Sequence, residues 1–151
     1  MKLKEKFKSN NNIIYSCKYH VVWCSKYRRK VLVEDVATRL KNLIIEIANS
    51  LGANIIELET DNDHIHILVE VDPQFGISKL VRKLKGKTAN VLCKEFPHLK
   101  SRVPTLWSNS YFVSTAGGAP LSIIKEYITN QQRSEARRSR VRWSNFLAQS
   151  K

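Results

Sequence analysis

The sequence has no long apolar run and no framework of paired cysteines. No stretch approaches the about 20 apolar residues that a membrane-spanning helix needs, so we expect no membrane segment. The basic opening MKLKEKFKSN is not followed by an apolar region, so we expect no signal peptide. The three cysteines, Cys17, Cys24 and Cys93, lack paired spacing. This predicts buried thiols in a reducing, cytoplasmic compartment.

Acidic residues are also scarce. The chain carries 13 Asp and Glu against 26 Lys and Arg, which gives a net charge of +13 and a pI near 9.9. This balance favours a polyanionic partner, nucleic acid before membrane. Hydrophobic residues still make up 42% of the chain, so disorder is excluded as the default. We expect a single domain over residues 1–151, without internal repeats or a linker.

Residues 61–70, DNDHIHILVE, combine three turn formers with a stretch typical of a β-strand. Because side chains alternate along a strand, His64 and His66 should project together, while Ile65 and Ile67 face a core. Neutral imidazole is the commonest metal ligand in proteins, so the pair is a candidate metal site. On this stretch alone, two surface histidines without a metal remain the ordinary alternative.

The order of the predicted elements is β-α-β-β-α-β-α. Hairpin-joined strands interleaved with two helices predict an α+β fold, a ferredoxin-like (split βαβ) sandwich with an antiparallel sheet and a further C-terminal helix. The helices should cover one face of the sheet and leave the other for a ligand. The predicted strands are 13–24, 54–60, 64–70 and 105–115, and the predicted helices are 34–51, 76–96 and one beginning at 119–120.

Two segments concentrate positive charge. A basic loop with an aromatic residue inside it could clamp phosphates and stack a base, and a cationic helix could track a phosphate backbone. A solvated loop and a solubilising helix face are the alternatives. The loop residues are Lys26, Tyr27, Arg28, Arg29 and Lys30, and the helix residues are Arg82, Lys83, Lys85 and Lys87, flanked by Lys79 and Lys94.

A late helix pairs a tyrosine with an amide. Tyr127 and Gln131 are four residues apart and therefore share a helix face, although core packing is the ordinary reading of such a tyrosine. Two further residues have open roles. His20 is either a third metal ligand or part of a wet, DNA-facing surface, and the latter is preferred. Asp63 either orients an imidazole or, as we expect, serves the turn.

The histidine pair, the tyrosine-plus-amide helix and the basic composition together resemble the HUH single-strand endonucleases. Among these, the chain resembles the small single-tyrosine transposases of minimal bacterial insertion sequences (TnpA type). The resemblance depends on the His64-Ile65-His66 motif, the spacing Tyr127-x-x-x-Gln131, and the segments DHIHILVE and LWSNSYFVSTAGGAP. It covers about residues 10–135, and the matched positions show no departure from the family pattern. The last fifteen residues lie outside what can be matched.

The resemblance implies a complete set of roles. His64, His66 and Gln131 would bind Mg²⁺ or Mn²⁺, and Tyr127 would be the nucleophile that forms a 5′-phosphotyrosine. The partner would be single-stranded DNA folded into hairpins at the ends of the element, with Tyr27, Trp107 or Tyr111 stacking extruded bases. The protein would act as a homodimer that exchanges its tyrosine helices. The pair Gly117 and Gly118 would be the hinge of that helix, since glycine tolerates unusual dihedral angles.

Three alternatives remain at this point. A rolling-circle initiator or relaxase shares the chemistry but is usually longer. A non-catalytic ferredoxin-like RNA-binding module would require aromatic residues on its central strands and no tyrosine-plus-amide helix. A metal-dependent phosphodiesterase that uses water would cleave DNA without a covalent adduct.

Overall fold

The computed structural model describes residues 7–116 and 125–130 of the chain. Short polar turns and long amphipathic runs divide these residues into strands and helices in the predicted order, with an N-terminal pair of short strands and one short helix in addition. The strands are β1 (Lys8–Ser9), β2 (Ile14–Tyr15), β3 (Lys18–Cys24), β4 (Asn54–Thr60), β5 (His64–Glu70) and β6 (Phe112–Thr115), and the helices are α1 (Glu34–Ser50), α2 (Ile77–Glu95) and α3 (Leu99–Arg102). Residues 125–130 are also helical and form what we call the C-terminal segment.

Four of the strands form one antiparallel sheet in the order β4-β5-β3-β6. Strands β4 and β5 are consecutive in the chain and form a hairpin. A long helix separates β3 from β4 along the chain, and a second long helix separates β5 from β6. This is the split βαβ arrangement, and the predicted ferredoxin-like sandwich is confirmed.

Alternation along the strands separates the sheet into two faces. Ile65, Ile67 and Val69 of β5 are at most 1% exposed and pack with Val21 and Trp23 of β3. Helices α1 and α2 cover this face, which we call the core face. Burying one large aliphatic side chain contributes about 1.5–3 kcal/mol, so this layer carries much of the stability.

Helix α1 buries the apolar stripe that its periodicity predicts, and α2 buries most of its own. Every predicted stripe residue of α1 within its observed bounds is buried, among them Leu40 and Ile44 at 0% exposure. Its first turn carries Glu34 and Asp35, which interact favourably with the helix dipole. Both long helices are slightly shorter than predicted: α1 ends one residue earlier, and α2 begins one residue later and ends one residue earlier.

Strand β4 carries one extra residue. Its register with β5 shifts between Ile55 and Glu57, as in a β-bulge, so Ile56 lies opposite no residue of β5 and is 40% exposed. After the shift, Leu58 pairs with Ile67 and faces the core. Glu59 then pairs with His66 and faces away from it.

The predicted strand over residues 13–24 is wrong at its beginning. Only Lys18–Cys24 joins the main sheet, whereas Ile14 and its neighbour pair with β1 in a separate hairpin. Asn10 forms the turn of this hairpin, because its side-chain oxygen accepts bonds from the backbone N–H groups of Asn12 and Ile13. Such a pairing across a turn gives no signal in the periodicity of one strand.

The predicted strand over residues 105–115 is wrong in its first half. Strand β6 begins only at Phe112, and Trp107 instead enters the core, where its indole N–H donates to the Thr88 hydroxyl at 3.0 Å. The ammonium of Lys85 donates to the carbonyls of Ser108 and Ser110, at 2.7 and 3.1 Å, and stabilises the loop. Trp107 is 5% exposed, so the expectation that it stacks a base is also wrong.

Several predicted features lie outside the described residues. These are the start of the last helix, the glycine pair Gly117 and Gly118, and Gln131. None of the helices in the described ranges combines the length and apolar character that crossing a membrane requires.

Candidate active site

The two imidazoles lie side by side on the face of the sheet that points away from α1 and α2. His64 and His66 are half-buried, and the antiparallel register places them opposite Cys24 and Val22 of β3. We call this the site face. Strand alternation predicts this projection of both rings, and it leaves them reachable from solvent while the intervening Ile65 is buried.

A carboxylate orients the first imidazole. Nδ1 of His64 lies 2.8 Å from Oδ1 of Asp63, so the Nδ1–H group donates to the carboxylate, which in the neutral ring leaves the lone pair on Nε2. Asp63 is only 7% exposed. The preferred expectation, that Asp63 serves only the turn, is therefore wrong, because its side chain holds a histidine.

A third histidine contacts the second imidazole. Nδ1 of His20 lies 3.1 Å from Nε2 of His66, with ring centroids 5.3 Å apart. Burial lowers the pKa of His66, and the neighbouring His20 lowers that pKa further, so His66 favours its neutral, ligating form. The expectation that His20 lies on a wet surface is incomplete, since the ring is half-buried and bonded. Within residues 7–116 and 125–130, no group of three His, Cys, Asp or Glu side chains could hold a metal ion.

Tyr127 packs against the site face through the C-terminal segment. Its ring lies 5.5 Å from that of Phe112, centroid to centroid, and the residue is 1% exposed. Phe112 pairs with Val22, and Val22 pairs with His66, so two interstrand spacings, or about 10 Å, separate Phe112 from the histidine strand. The tyrosine and the imidazoles thus lie on the same face, and the ring of Tyr127 packs against the sheet.

A cavity of about 230 Å³ opens beside the imidazoles. This volume is several times the about 30 Å³ that one water molecule occupies in the liquid. The sheet and the C-terminal segment both contribute to its wall, so groups of both signs surround the histidines. The residues that line it are Glu59, Thr60, Asp61, His64, His66, Lys125 and Ile128.

Arg28 joins three parts of this site. Its Nε and Nη2 atoms lie 3.0 and 2.8 Å from Oδ2 of Asp63, and its Nη1 donates to the backbone carbonyl of Ile128 at 3.2 Å. Sequence reasoning assigned Arg28 to DNA with its neighbours and missed these contacts. No local pattern could have indicated them, because the partners lie 35 and 100 residues away along the chain.

The remaining predicted DNA contacts divide between the two layers. The basic loop lies beside the histidines, since the N–H group of Ser25, the residue before the loop, donates to the Asp63 carbonyl. Within the loop, Tyr27, Arg29 and Lys30 are exposed and Lys26 is half-buried. Helix α2 covers the opposite, core face. Of its predicted contacts, Arg82 and Lys87 are exposed, whereas Lys83 and the carbonyl-bound Lys85 are half-buried, and Tyr111 bonds Ser78 beside them.

Comparison with known sequences identifies relatives along most of the chain. The sequence model of the IS200-like transposase family matches residues 13–131. The chain is 35% identical over 130 residues to the ISDra2 transposase TnpA of Deinococcus radiodurans, which covers 85% of this chain and 93% of that protein. It is 31% identical over 119 residues to the transposase for insertion sequence element IS200 of Salmonella typhimurium, covering 78% of each.

Solved structures agree with the fold. A crystal structure from Deinococcus radiodurans, provisionally named a transposase, superposes with a TM-score of 0.76 at 38% identity, over 82% of this chain and 97% of that chain. A REP-associated tyrosine transposase bound to a REP hairpin superposes with a TM-score of 0.51 at 14% identity, over 72% of this chain and 61% of that one. At that identity the second likeness supports the fold alone.

Proposed function

Since the chain belongs to the IS200-like transposases, we propose that it cleaves and rejoins single-stranded DNA at the ends of an insertion sequence. One observation carries the proposal: His64 and His66 line a cavity whose wall also includes Lys125 and Ile128, from the helical segment that contains Tyr127. Membership of the family argues against a non-catalytic RNA-binding module. It also favours a transposase over a rolling-circle initiator or relaxase, which shares the cleavage chemistry.

The donor set fits a divalent cation. The imidazoles of His64 and His66 are half-buried, and the bond to Asp63 directs the Nε2 lone pair of His64 away from the carboxylate. We propose Gln131 as the third ligand, since it follows Tyr127 by four residues in the sequence, the spacing of one helical turn. Mn²⁺ accepts imidazole more readily than Mg²⁺ does, so we expect tighter binding of Mn²⁺. A cation held there would supply a Lewis acid to the scissile phosphate.

Tyr127 is the proposed nucleophile. Its phenol gives up its proton, its oxygen forms a bond to phosphorus, and the bond from phosphorus to the 3′ oxygen breaks. The 3′ oxygen takes up a proton and leaves as a hydroxyl, while the DNA remains attached as a 5′-phosphotyrosine. Because the ester bond to phosphorus is retained, a 3′-hydroxyl can reverse the step and join strands without ATP.

The phenol has to leave its packing against Phe112 before it can react, since Tyr127 is 1% exposed. We propose that Gly117 and Gly118 form the hinge for this movement, and that the protein is a homodimer that exchanges its tyrosine helices. In the structure the C-terminal segment lies on its own chain's sheet. An exchange would move it onto the sheet of the partner subunit.

The proposed DNA partner is a single strand folded into a hairpin. The net charge of +13 supports a polyanion, and the exposed loop residues Tyr27, Arg29 and Lys30 lie beside the histidines. A neighbour of the same fold is described with a hairpin bound. Exposed cations of α2, such as Arg82 and Lys87, are the proposed contacts to a longer stem.

An adduct assay tests the proposed function. A labelled single-stranded hairpin is incubated with the protein and Mn²⁺ or Mg²⁺, and the products are separated on a denaturing gel. We expect a slowly migrating covalent species that EDTA abolishes. Tyr127→Phe should abolish it and retain hairpin binding, whereas the matched change Tyr111→Phe should leave it intact.

Other outcomes of this assay would contradict the proposal. Cleaved DNA without an adduct would indicate a phosphodiesterase that uses water. An adduct that survives Tyr127→Phe would reject Tyr127 as the nucleophile. The hinge has its own test: the double change Gly117→Pro and Gly118→Pro should retain hairpin binding and depress strand transfer, and undiminished strand transfer would reject the hinge.

A further inference from the structure

One carboxylate stands at the centre of the site. Oδ1 of Asp63 accepts from the His64 imidazole at 2.8 Å, and Oδ2 of the same group accepts from Arg28 at 2.8 and 3.0 Å. The third nitrogen of the Arg28 guanidinium donates to the carbonyl of Ile128 at 3.2 Å. Ile128 directly follows Tyr127. A continuous chain of hydrogen bonds therefore connects a candidate metal ligand to the helical turn of the nucleophile.

The basic loop is held in the conformation that this chain requires. Tyr27 and Arg28 have φ angles of 56° and 50°, in the left-handed region that residues with a Cβ seldom adopt. Such a conformation persists where surrounding contacts determine it. Here the Ser25 N–H donates to the Asp63 carbonyl at 3.0 Å, and the Ser25 hydroxyl donates to the Arg29 carbonyl at 2.6 Å. Ser25 is itself 0% exposed.

We propose that Arg28 is a positioning residue for the strand-transfer reaction. By bonding Asp63 and Ile128 at the same time, its planar guanidinium fixes the His64 imidazole and the Tyr127 helix relative to one another. A guanidinium presents its donors in a rigid fork, which suits two acceptors on different elements. This inference rests on the proposed function, and it separates Arg28 from the exposed Arg29, for which contact with DNA remains the proposed role.

Hydrogen exchange on the chain without metal or DNA tests the contact to the helix. Arg28→Gln should speed amide exchange of residues 125–130 by about tenfold, because one charge-assisted bond to the segment is lost. Arg29→Gln is the matched control, since it removes the same charge from the next residue. It should leave the exchange of the segment unchanged and weaken hairpin binding instead.

Calorimetric titration with Mn²⁺ alone tests the contact to the metal ligand. Changing a group that orients a ligand typically lowers metal affinity by about 10- to 100-fold. Arg28 bonds the orienting carboxylate of Asp63 and not the ligand itself, so we expect Arg28→Gln to lower the Mn²⁺ affinity by about tenfold. Arg28→Lys keeps a cation beside Asp63 and should restore most of the affinity. Its single nitrogen cannot span both acceptors, so the fast exchange of residues 125–130 should remain.

The outcomes separate this inference from the proposed function. If Arg28→Gln matches Arg29→Gln in both exchange and Mn²⁺ affinity, the positioning role is wrong, whatever the adduct assay gives. If the wild-type chain forms no adduct, the proposed function fails on its own experiment. Circular dichroism during thermal unfolding shows whether Arg28→Gln is still folded. If it is not, the exchange of residues 125–130 is compared between Arg28→Lys, which keeps the charge, and the wild-type chain.

Discussion

The two faces of the central sheet are one residue step apart and differ in almost every property. Ile65 and Ile67 of β5 lie under two helices at 0% and 1% exposure, whereas His64 and His66 face a cavity and are bonded to polar partners. The core face is built from apolar side chains that need only size and burial. The site face is built from directional bonds between distant segments. Stability and chemistry should therefore respond to different substitutions in the same strand.

The largest expected effect is on the site face. His66→Ala removes a proposed metal ligand and should lower adduct formation by about a thousandfold or more, since a Lewis acid contributes several kcal/mol to such a reaction. The free energy of unfolding should change by less than about 1 kcal/mol, because His66 is half-buried. The adduct gel and a urea titration measure the two quantities. A large loss of stability here would remove the distinction between the faces.

The second-largest expected effect is on the core face, at the residue that follows His66. Ile67→Ala leaves a cavity beneath α1 and α2 and should lower the free energy of unfolding by about 2–5 kcal/mol. Under conditions where the variant is still folded, its affinity for Mn²⁺ should match that of the wild-type chain. Urea unfolding and calorimetry report these values. A loss below about 1 kcal/mol would mean that this layer is not the main source of stability.

A smaller effect should come from the polar pair inside the core face. Thr88→Val deprives the buried Trp107 indole of its acceptor at 3.0 Å and should cost about 1–3 kcal/mol of unfolding free energy. Thr88→Ser is the matched control, because it retains the hydroxyl and removes only a methyl group. Equal losses in the two variants, measured by urea unfolding, would show that the hydrogen bond contributes nothing.

The smallest expected effect concerns the cations of the two layers. Arg29→Gln, beside the histidines, should weaken hairpin binding several-fold and reduce the slope of log affinity against log salt by about 1. Arg82→Gln, on the layer of α2, should weaken hairpin binding less, because it lies across the sheet from the site. Fluorescence anisotropy across a salt series measures both. A greater loss from Arg82→Gln would place the stem mainly along α2.

Local patterns predicted the core face well. The β4–β5 hairpin has its predicted bounds, the stripe of α1 is buried, and most of the stripe of α2 is buried, with Ile77 and Val91 only half-buried. Alternation and helical periodicity are properties of neighbouring residues. The errors arise where a partner outside the predicted strand decides the outcome. Ile14 pairs across a turn made by Asn10, and Trp107 leaves its predicted strand to reach Thr88.

The site face was only partly predictable for the same reason. His64 and His66 follow from alternation within one strand. The bonds of Arg28 to Asp63 and Ile128, and that of His20 to His66, join residues that are 35 to 100 positions apart, and no pattern in a single sequence encodes such a separation. The roles assigned to Tyr127 and Gln131 depended on resemblance to a family rather than on their own periodicity.

The extra residue in β4 sets the permissible length of that strand. Without the shift between Ile55 and Glu57, every later side chain would change sides: Leu58 would turn toward the cavity and Glu59 would be forced beneath the helices. Deletion of Ile56 itself would restore regular pairing and leave these side chains on their present faces, whereas insertion of one further residue between Glu57 and Leu58 would turn Glu59 beneath the helices. Among descendants of this gene, loss of residue 56 should therefore be tolerated, whereas gains of single residues between positions 57 and 60 should be purged.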